Sequence, residues 1–158
     1  MHELFHRYKD IILLDFIREA RVEDCNDCII LLKQLGYHLE SHEFKVKLEL
    51  CDNSSDYKIF VMILDNKLVG LIAITLTHFL HCKGKYAKIA ALVVDCEMRG
   101  GGIGSNLLRY VENYALACGC DKIELTSSFY RRAGGTHQFY LNHGYLDNAT
   151  QYFVKILN

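Results

Sequence analysis

The stretch Ile89-Ala90-Ala91-Leu92-Val93-Val94-Asp95-Cys96-Glu97-Met98-Arg99-Gly100-Gly101-Gly102-Ile103-Gly104-Ser105-Asn106-Leu107-Leu108 decides how this chain folds. Its first part, residues 89–94, is an unbroken apolar run, as expected of a central strand covered on both faces. Its last part opens an amphipathic helix, because Ile103, Leu107, Leu108, Val111, Ala115 and Cys118 recur at helical spacing before Gly119 stops it. Between the two, four of the chain's eleven glycines (Gly100, Gly101, Gly102 and Gly104) fall within five positions. The first amides of a helix have no intrahelical partners and sit at the positive end of its dipole. Glycine there removes the side chains that would keep a phosphate from the backbone N–H groups. The loop therefore reads as a phosphate cradle. It is not a P-loop, since no Lys follows the cluster. Nor is it a dinucleotide fingerprint, since a GxGxxG begun at Gly102 and Gly104 meets Leu107 at its third glycine position.

Working outward, residues 11–20 predict a first strand, 24–35 a helix closed by Gly36, and 40–51 a second helix. Residues 57–64 and 68–79 predict a hairpin turned by Asp65-Asn66-Lys67. A strand over 86–94, the helix from Ile103, and a strand over 122–126 form a crossover, which makes those two strands parallel neighbours. A short helix over 136–142 and terminal strands within 145–157 complete the chain. The fold class is α/β: a mixed, mostly antiparallel central sheet with helices on both faces. The chain reads as a single domain over residues 1–158, with 1–14 as an N-terminal extension.

Composition excludes other classes. Among 158 residues, 18 Lys and Arg stand against 19 Asp and Glu, a formal net charge of −1. That balance lacks the basic surplus of a nucleic-acid binder. The longest apolar-rich stretch, residues 68–82, contains Gly70, Thr75, Thr77, His78 and His81 and falls short of the ~20 apolar residues of a membrane span. The run Ile11–Leu14 is too short for a signal-peptide core. Seven Cys without a secretory signal point to reduced thiols and a cytoplasmic protein. Cys25 with Cys28 makes a CxxC and Cys118 with Cys120 a CxC, which is not a four-thiolate zinc pattern, so these read as core or helix residues. The pairs His38/His42 and His78/His81 lack acidic or thiolate partners at ligand spacing, and no metal is expected.

The segment Arg99-Gly100-Gly101-Gly102-Ile103-Gly104 after a buried strand fits [RQ]xxGx[GA], the acyl-CoA pyrophosphate motif of the GNAT superfamily of N-acyltransferases. The chain resembles that family along nearly its whole length. Ile17-Arg18-Glu19-Ala20-Arg21-Val22-Glu23-Asp24 looks like its first strand and helix start, and Leu92-Val93-Val94-Asp95 like the strand before its loop. His137-Gln138-Phe139-Tyr140 with Gly144-Tyr145 is similar to its HxFYxxxGF segment, followed by a closing Phe153-Val154-Lys155-Ile156-Leu157.

The resemblance implies acetyl-CoA as co-substrate, lying where the two parallel strands splay apart after Leu92. Backbone groups of Leu92, Val93 and Val94 would pair with the pantetheine arm. Amides of Arg99, Gly100, Gly101, Gly102, Ile103, Gly104 and Ser105 would hold the pyrophosphate, with Arg131 or Arg132 toward the 3′-phosphate. Tyr140 matches the tyrosine that donates to the leaving thiolate. The implied activity is transfer of an acetyl group to a primary amine of a small molecule or protein by direct attack. A homodimer is compatible with it.

One departure stands out. Where many members carry a carboxylate on the strand before the loop, this chain has Ile89, Ala90 and Ala91. Glu40, His42, Glu43, His78 and Glu124 are substitutes for the missing base, and water is another. Tyr37, Ser127 and Ser128 are candidates to line the acceptor pocket. The missing carboxylate also motivates an alternative: a non-catalytic acyl-CoA-binding or regulatory module of the same fold.

Overall fold

The computed structural model describes residues 17–81, 83–128, 131–147 and 153–157. They fall into two compact units, Met1–Leu125 and Thr126–Asn158. The expected N-terminal extension and residues 11–16 of the expected first strand lie outside the described residues.

The first unit runs β1 (Ile17–Glu19), a 3-10 turn (Val22–Asp24), α1 (Cys25–Gln34), α2 (Ser41–Asp52), β2 (Tyr57–Leu64), β3 (Lys67–His78), β4 (Lys85–Val94), a second 3-10 turn (Cys96–Met98), α3 (Ile103–Ala117) and β5 (Cys120–Leu125). The strands lie in sequence order in one sheet. The first three pairings are antiparallel and β4–β5 is parallel. The β2–β3 hairpin turns on Asp65 and Asn66, whose φ values of 49° and 61° match the left-handed turn that follows the twist of two paired strands.

Alternation along the strands divides the core into two layers. Ile59, Val61, Leu71, Ala73 and Val93 face α1 and α2, where they meet Cys25, Cys28, Leu31, Leu32, Phe44 and Leu48. Burial raises the Cys28 thiol to about 12 and the Cys51 thiol to about 11, so both stay neutral and serve as small core side chains. The opposite face carries Phe60, Gly70 and Ile72 toward α3, with the Phe60 ring edge-on to Tyr110 and Tyr114 at 5.0 and 5.1 Å. The start of α1 is fixed by a bidentate pair. Arg18 holds both carboxylate oxygens of Asp24 at 2.7 and 2.9 Å while the Arg21 N–H donates to Asp24 at 2.7 Å. Burial works against the Asp24 charge, but these donors outweigh it and hold the carboxyl below its ordinary value.

The second unit contains α4 (Thr136–Asn142). Residues 145–147 and 153–157 carry no strand, contrary to the expected terminal strands, and 148–152 lie outside the described residues. Alternating apolar character suggests a strand but does not provide a ladder partner. Phe153, Val154, Ile156 and Leu157 are all exposed.

At Gly70 the side chains of α3 press directly on the β3 backbone. A Cβ there would lie 2.7 Å from Leu107 Cδ1 and 3.1 Å from Ile103 Cγ2. Both side chains are buried, so neither has room to move. Gly70→Val should therefore lower unfolding stability by about 1–3 kcal/mol, as overpacking does, seen as a lower urea midpoint with an unchanged slope. An unchanged midpoint would show that α3 does not pack against this strand.

Candidate functional site

The parallel pair comes apart part-way along. β4 pairs with β5 from Lys85↔Cys120 to Ile89↔Leu125, but with β3 it continues to Gly70↔Val94. The split thus begins after Ile89, not after Leu92. A β-bulge marks the same point: Ala73 pairs with Ala91 and Ile74 with Ile89, which leaves Ala90 as the extra residue. A bulge bends a strand and increases its twist, and this one falls directly after the last β4–β5 pair, where β5 also ends at Leu125. From Ala90 to Val94 the β4 edge on that side has no strand partner among the described residues. Leu92 and Val94 are half-buried and Ala90 is exposed.

A clamp holds the end of β4. Asp95 is buried, and its backbone N–H donates to the Val69 carbonyl at 2.9 Å. Its carboxylate takes the Lys67 ammonium at 2.9 Å, the Glu97 N–H at 3.3 Å and the Gln34 amide at 3.4 Å. Gln34 also accepts from the Cys96 N–H at 2.8 Å. Lys67 first, then these amides, keep the Asp95 carboxyl below its usual value. The end of α1 and the β2–β3 hairpin are thereby tied to the chain just before the glycines. The clamp residues were not legible in the sequence as a group, because Gln34, Lys67 and Asp95 are far apart along the chain.

The loop then enters α3 through Gly100 and Gly102, both at φ 82°. A Cβ at either would meet nothing within 4 Å, so the space in front of the loop is open and the helix start is reachable. Ile103 is buried and anchors the helix, while Gly104 and Ser105 are half-buried on its first turn. The Arg99 side chain folds back, its Nε donating to the Val94 carbonyl at 3.2 Å.

The remaining sequence candidates scatter. Glu43 accepts from the Glu40 N–H at 2.8 Å and caps α2. His42 and Tyr37 are exposed, and His78 is exposed at the end of β3. Glu124 lies on β5 opposite Lys88, with its carboxylate 2.8 Å from Lys122. Tyr140, Ser127, Ser128, Arg131 and Arg132 belong to the second unit. There Tyr140 is half-buried on α4, its ring 5.1 Å from Phe139 and 5.5 Å from Tyr145. Burial, only partly offset by Arg131, pushes its phenol up to about 12. The Ser127 Oγ and His137 Nε2 are buried without a hydrogen-bond partner among the described residues.

A split parallel pair thus feeds a glycine loop at a helix start. The acetyltransferase (GNAT) family profile matches residues 18–145. The chain belongs to the GNAT family. It is 31% identical to an aminoalkylphosphonate N-acetyltransferase from Salmonella typhimurium over 98% of this chain and 99% of that one. A GNAT family acetyltransferase from Staphylococcus aureus superposes with a TM-score of 0.73 at 26% identity, over 89% of this chain and 97% of that one. Glucosamine-6-phosphate N-acetyltransferase from Arabidopsis thaliana shares the fold, with a TM-score of 0.73 at 24% identity over 90% of this chain and 97% of that one.

As a GNAT protein, the chain is an acyl-CoA-dependent N-acyltransferase, and enzymes of the family use acetyl-CoA as co-substrate. No helix among the described residues is long and apolar enough to cross a membrane. The loop fits the CoA pyrophosphate on its own geometry, because its glycines put no side chain in front of the helix start. Gly102→Asp should abolish CoA binding in calorimetry, because it adds a negative charge and strains a left-handed position by about 1–2 kcal/mol. Gly101→Ala, away from the left-handed region, should weaken binding less. Retained affinity in Gly102→Asp would contradict the cradle.

Proposed function

We propose that this chain transfers an acetyl group from acetyl-CoA to the primary amine of a small molecule carrying an anionic group, of the aminoalkylphosphonate type. The observation that carries the acceptor class is the relative that spans essentially the whole chain at 31% identity and is named for that acceptor. The family match runs through both compact units, which supports reading them as one catalytic domain. Buried free thiols at Cys25, Cys28 and Cys51 support a cytoplasmic setting.

When bound, acetyl-CoA supplies a thioester carbonyl for the amine to attack and a thiolate to leave. The chain's own residues orient the two reactants. Amides from Arg99 to Ser105 bind the pyrophosphate, and the unpaired β4 edge offers the backbone groups of Leu92 and Val94 to the pantetheine arm. Those of Val93, expected from the sequence to join them, face β3, as the neighbouring Asp95 N–H bond to the Val69 carbonyl shows. Tyr140 holds a proton at its hydroxyl. With the phenol at about 12 and a thiol near 8.5, full proton transfer would be uphill by about 5 kcal/mol. Tyr140 therefore acts as a hydrogen-bond donor to the developing negative charge and keeps its proton.

An alkylamine near pKa 10.4 costs about 4–5 kcal/mol to present neutral at pH 7, and Ala90 and Ala91 supply no carboxylate for it. The rate should accordingly rise with pH across the range where the amine loses its proton. Two measurements test this reading. The first is an amine panel scored for acetyl transfer by mass spectrometry. Turnover of aminoalkylphosphonates supports the acceptor class, whereas CoA binding with no turnover of any amine would favour the non-catalytic module. The second is Tyr140→Phe, expected to lower kcat by about 10²-fold or more with little change in the KM for acetyl-CoA. An unchanged kcat would remove Tyr140 from the chemistry.

A further inference from the structure

Beside the split, the sheet face that α1 and α2 cover ends in a polar shelf. Pairing register places Tyr57, Thr75, Lys88 and Glu124 in one row across β2, β3, β4 and β5. The next row holds Thr77, Tyr86 and Lys122. Both continue the face on which Ala73 and Ala91 pack against the α1–α2 core. Beyond those two residues the side chains turn polar: Thr77, Lys88 and Lys122 are exposed, and Thr75, Tyr86 and Glu124 are half-buried.

The charges on the shelf do not cancel. Lys122 lies 2.8 Å from Glu124 and 4.0 Å from the centre of the Tyr86 ring. Lys88, the direct neighbour of Glu124, has no carboxylate partner among the described residues. Two cations and one anion leave a local surplus of one positive charge. The shelf also adjoins the chemistry. Lys88 immediately precedes Ile89, the last β4 residue paired with β5. It is two residues before the bulged Ala90, about 7 Å along the strand. Ala90 is exposed.

We propose that this shelf is the acceptor site, with the Lys88 ammonium holding the anionic group of a short zwitterionic amine and the Glu124 carboxylate receiving its ammonium. The proposal rests on the acceptor class given above and adds the residues that select it. Lys88 and Glu124 present opposite charges side by side, which is the complement of a molecule bearing an amine and an anion a few bonds apart. An alkylamine without an anionic group would lose the Lys88 contact and gain nothing in exchange. A large protein acceptor would use Lys88 little, since a lysine side chain carries no anion near its amine.

The test compares 2-aminoethylphosphonate with propylamine as acceptors for the wild type, Lys88→Met and Lys88→Arg. The wild type should prefer the phosphonate. Lys88→Met should raise the KM for the phosphonate at least tenfold and leave kcat/KM for propylamine within about twofold, and Lys88→Arg should restore most of the preference. A merely structural role for Lys88 would move both acceptors together. Glu124→Gln should raise the KM for both, since both carry the ammonium. If wild type acetylates the phosphonate and Lys88→Met leaves its KM unchanged, the shelf is wrong and the acceptor class stands. If wild type acetylates other amines but not the phosphonate, the acceptor class falls and the shelf with it.

Discussion

A central strand that loses one neighbour part-way along must find other partners for its backbone, because a buried N–H or C=O left unpaired costs free energy. In this chain that constraint falls on β4. Its pairing with β5 ends at Ile89, beside the bulged Ala90, while its pairing with β3 goes on to Val94. One strand thus provides both the centre of the core and an open hydrogen-bonding edge. Under the proposed function, the CoA arm is the partner for that edge.

What keeps it available is the anchoring on either side. Beyond the open edge, Asp95 is gripped by Lys67, Gln34 and the Glu97 amide, which ties the strand end to the first helix and the hairpin. Behind it, Gly70 lets α3 lie close against the sheet, so the helix start sits rigidly after the glycine loop. The glycines are then free to leave space in front of the amides without carrying the fold. Ahead of the edge, the same strand offers Lys88 beside Glu124. The proposed acceptor shelf and the loop proposed to cradle the cofactor thus lie toward opposite ends of β4.

Much of this was legible in the sequence. The β2–β3 hairpin, the glycine loop and α3 were readable because each rests on local signals: Asp65-Asn66 at a tight turn, glycines at a helix start, and apolar residues at helical spacing. The start of the split was not, since Ile89, Ala90 and Ala91 are all apolar and a bulge among them leaves no break in the pattern. The missing carboxylate was visible, but its neighbour Glu124 could be ranked only once pairing put it opposite Lys88. At the described ends of the expected terminal strands the reason is the converse, since residues 153–157 have strand-like composition and no ladder among the described residues. The Asp95 clamp joins residues from three separate elements, which no local pattern reveals.

The central claim is that the β4 edge left open beyond the bulge, together with the glycine loop, binds CoA. Hydrogen–deuterium exchange with and without CoA tests it directly. The account predicts that CoA slows exchange at amides within 92–94 and 99–105 and leaves the β2–β3 hairpin as it was. Unchanged exchange across 92–105 under saturating CoA, or protection confined to another part of the chain, would contradict it.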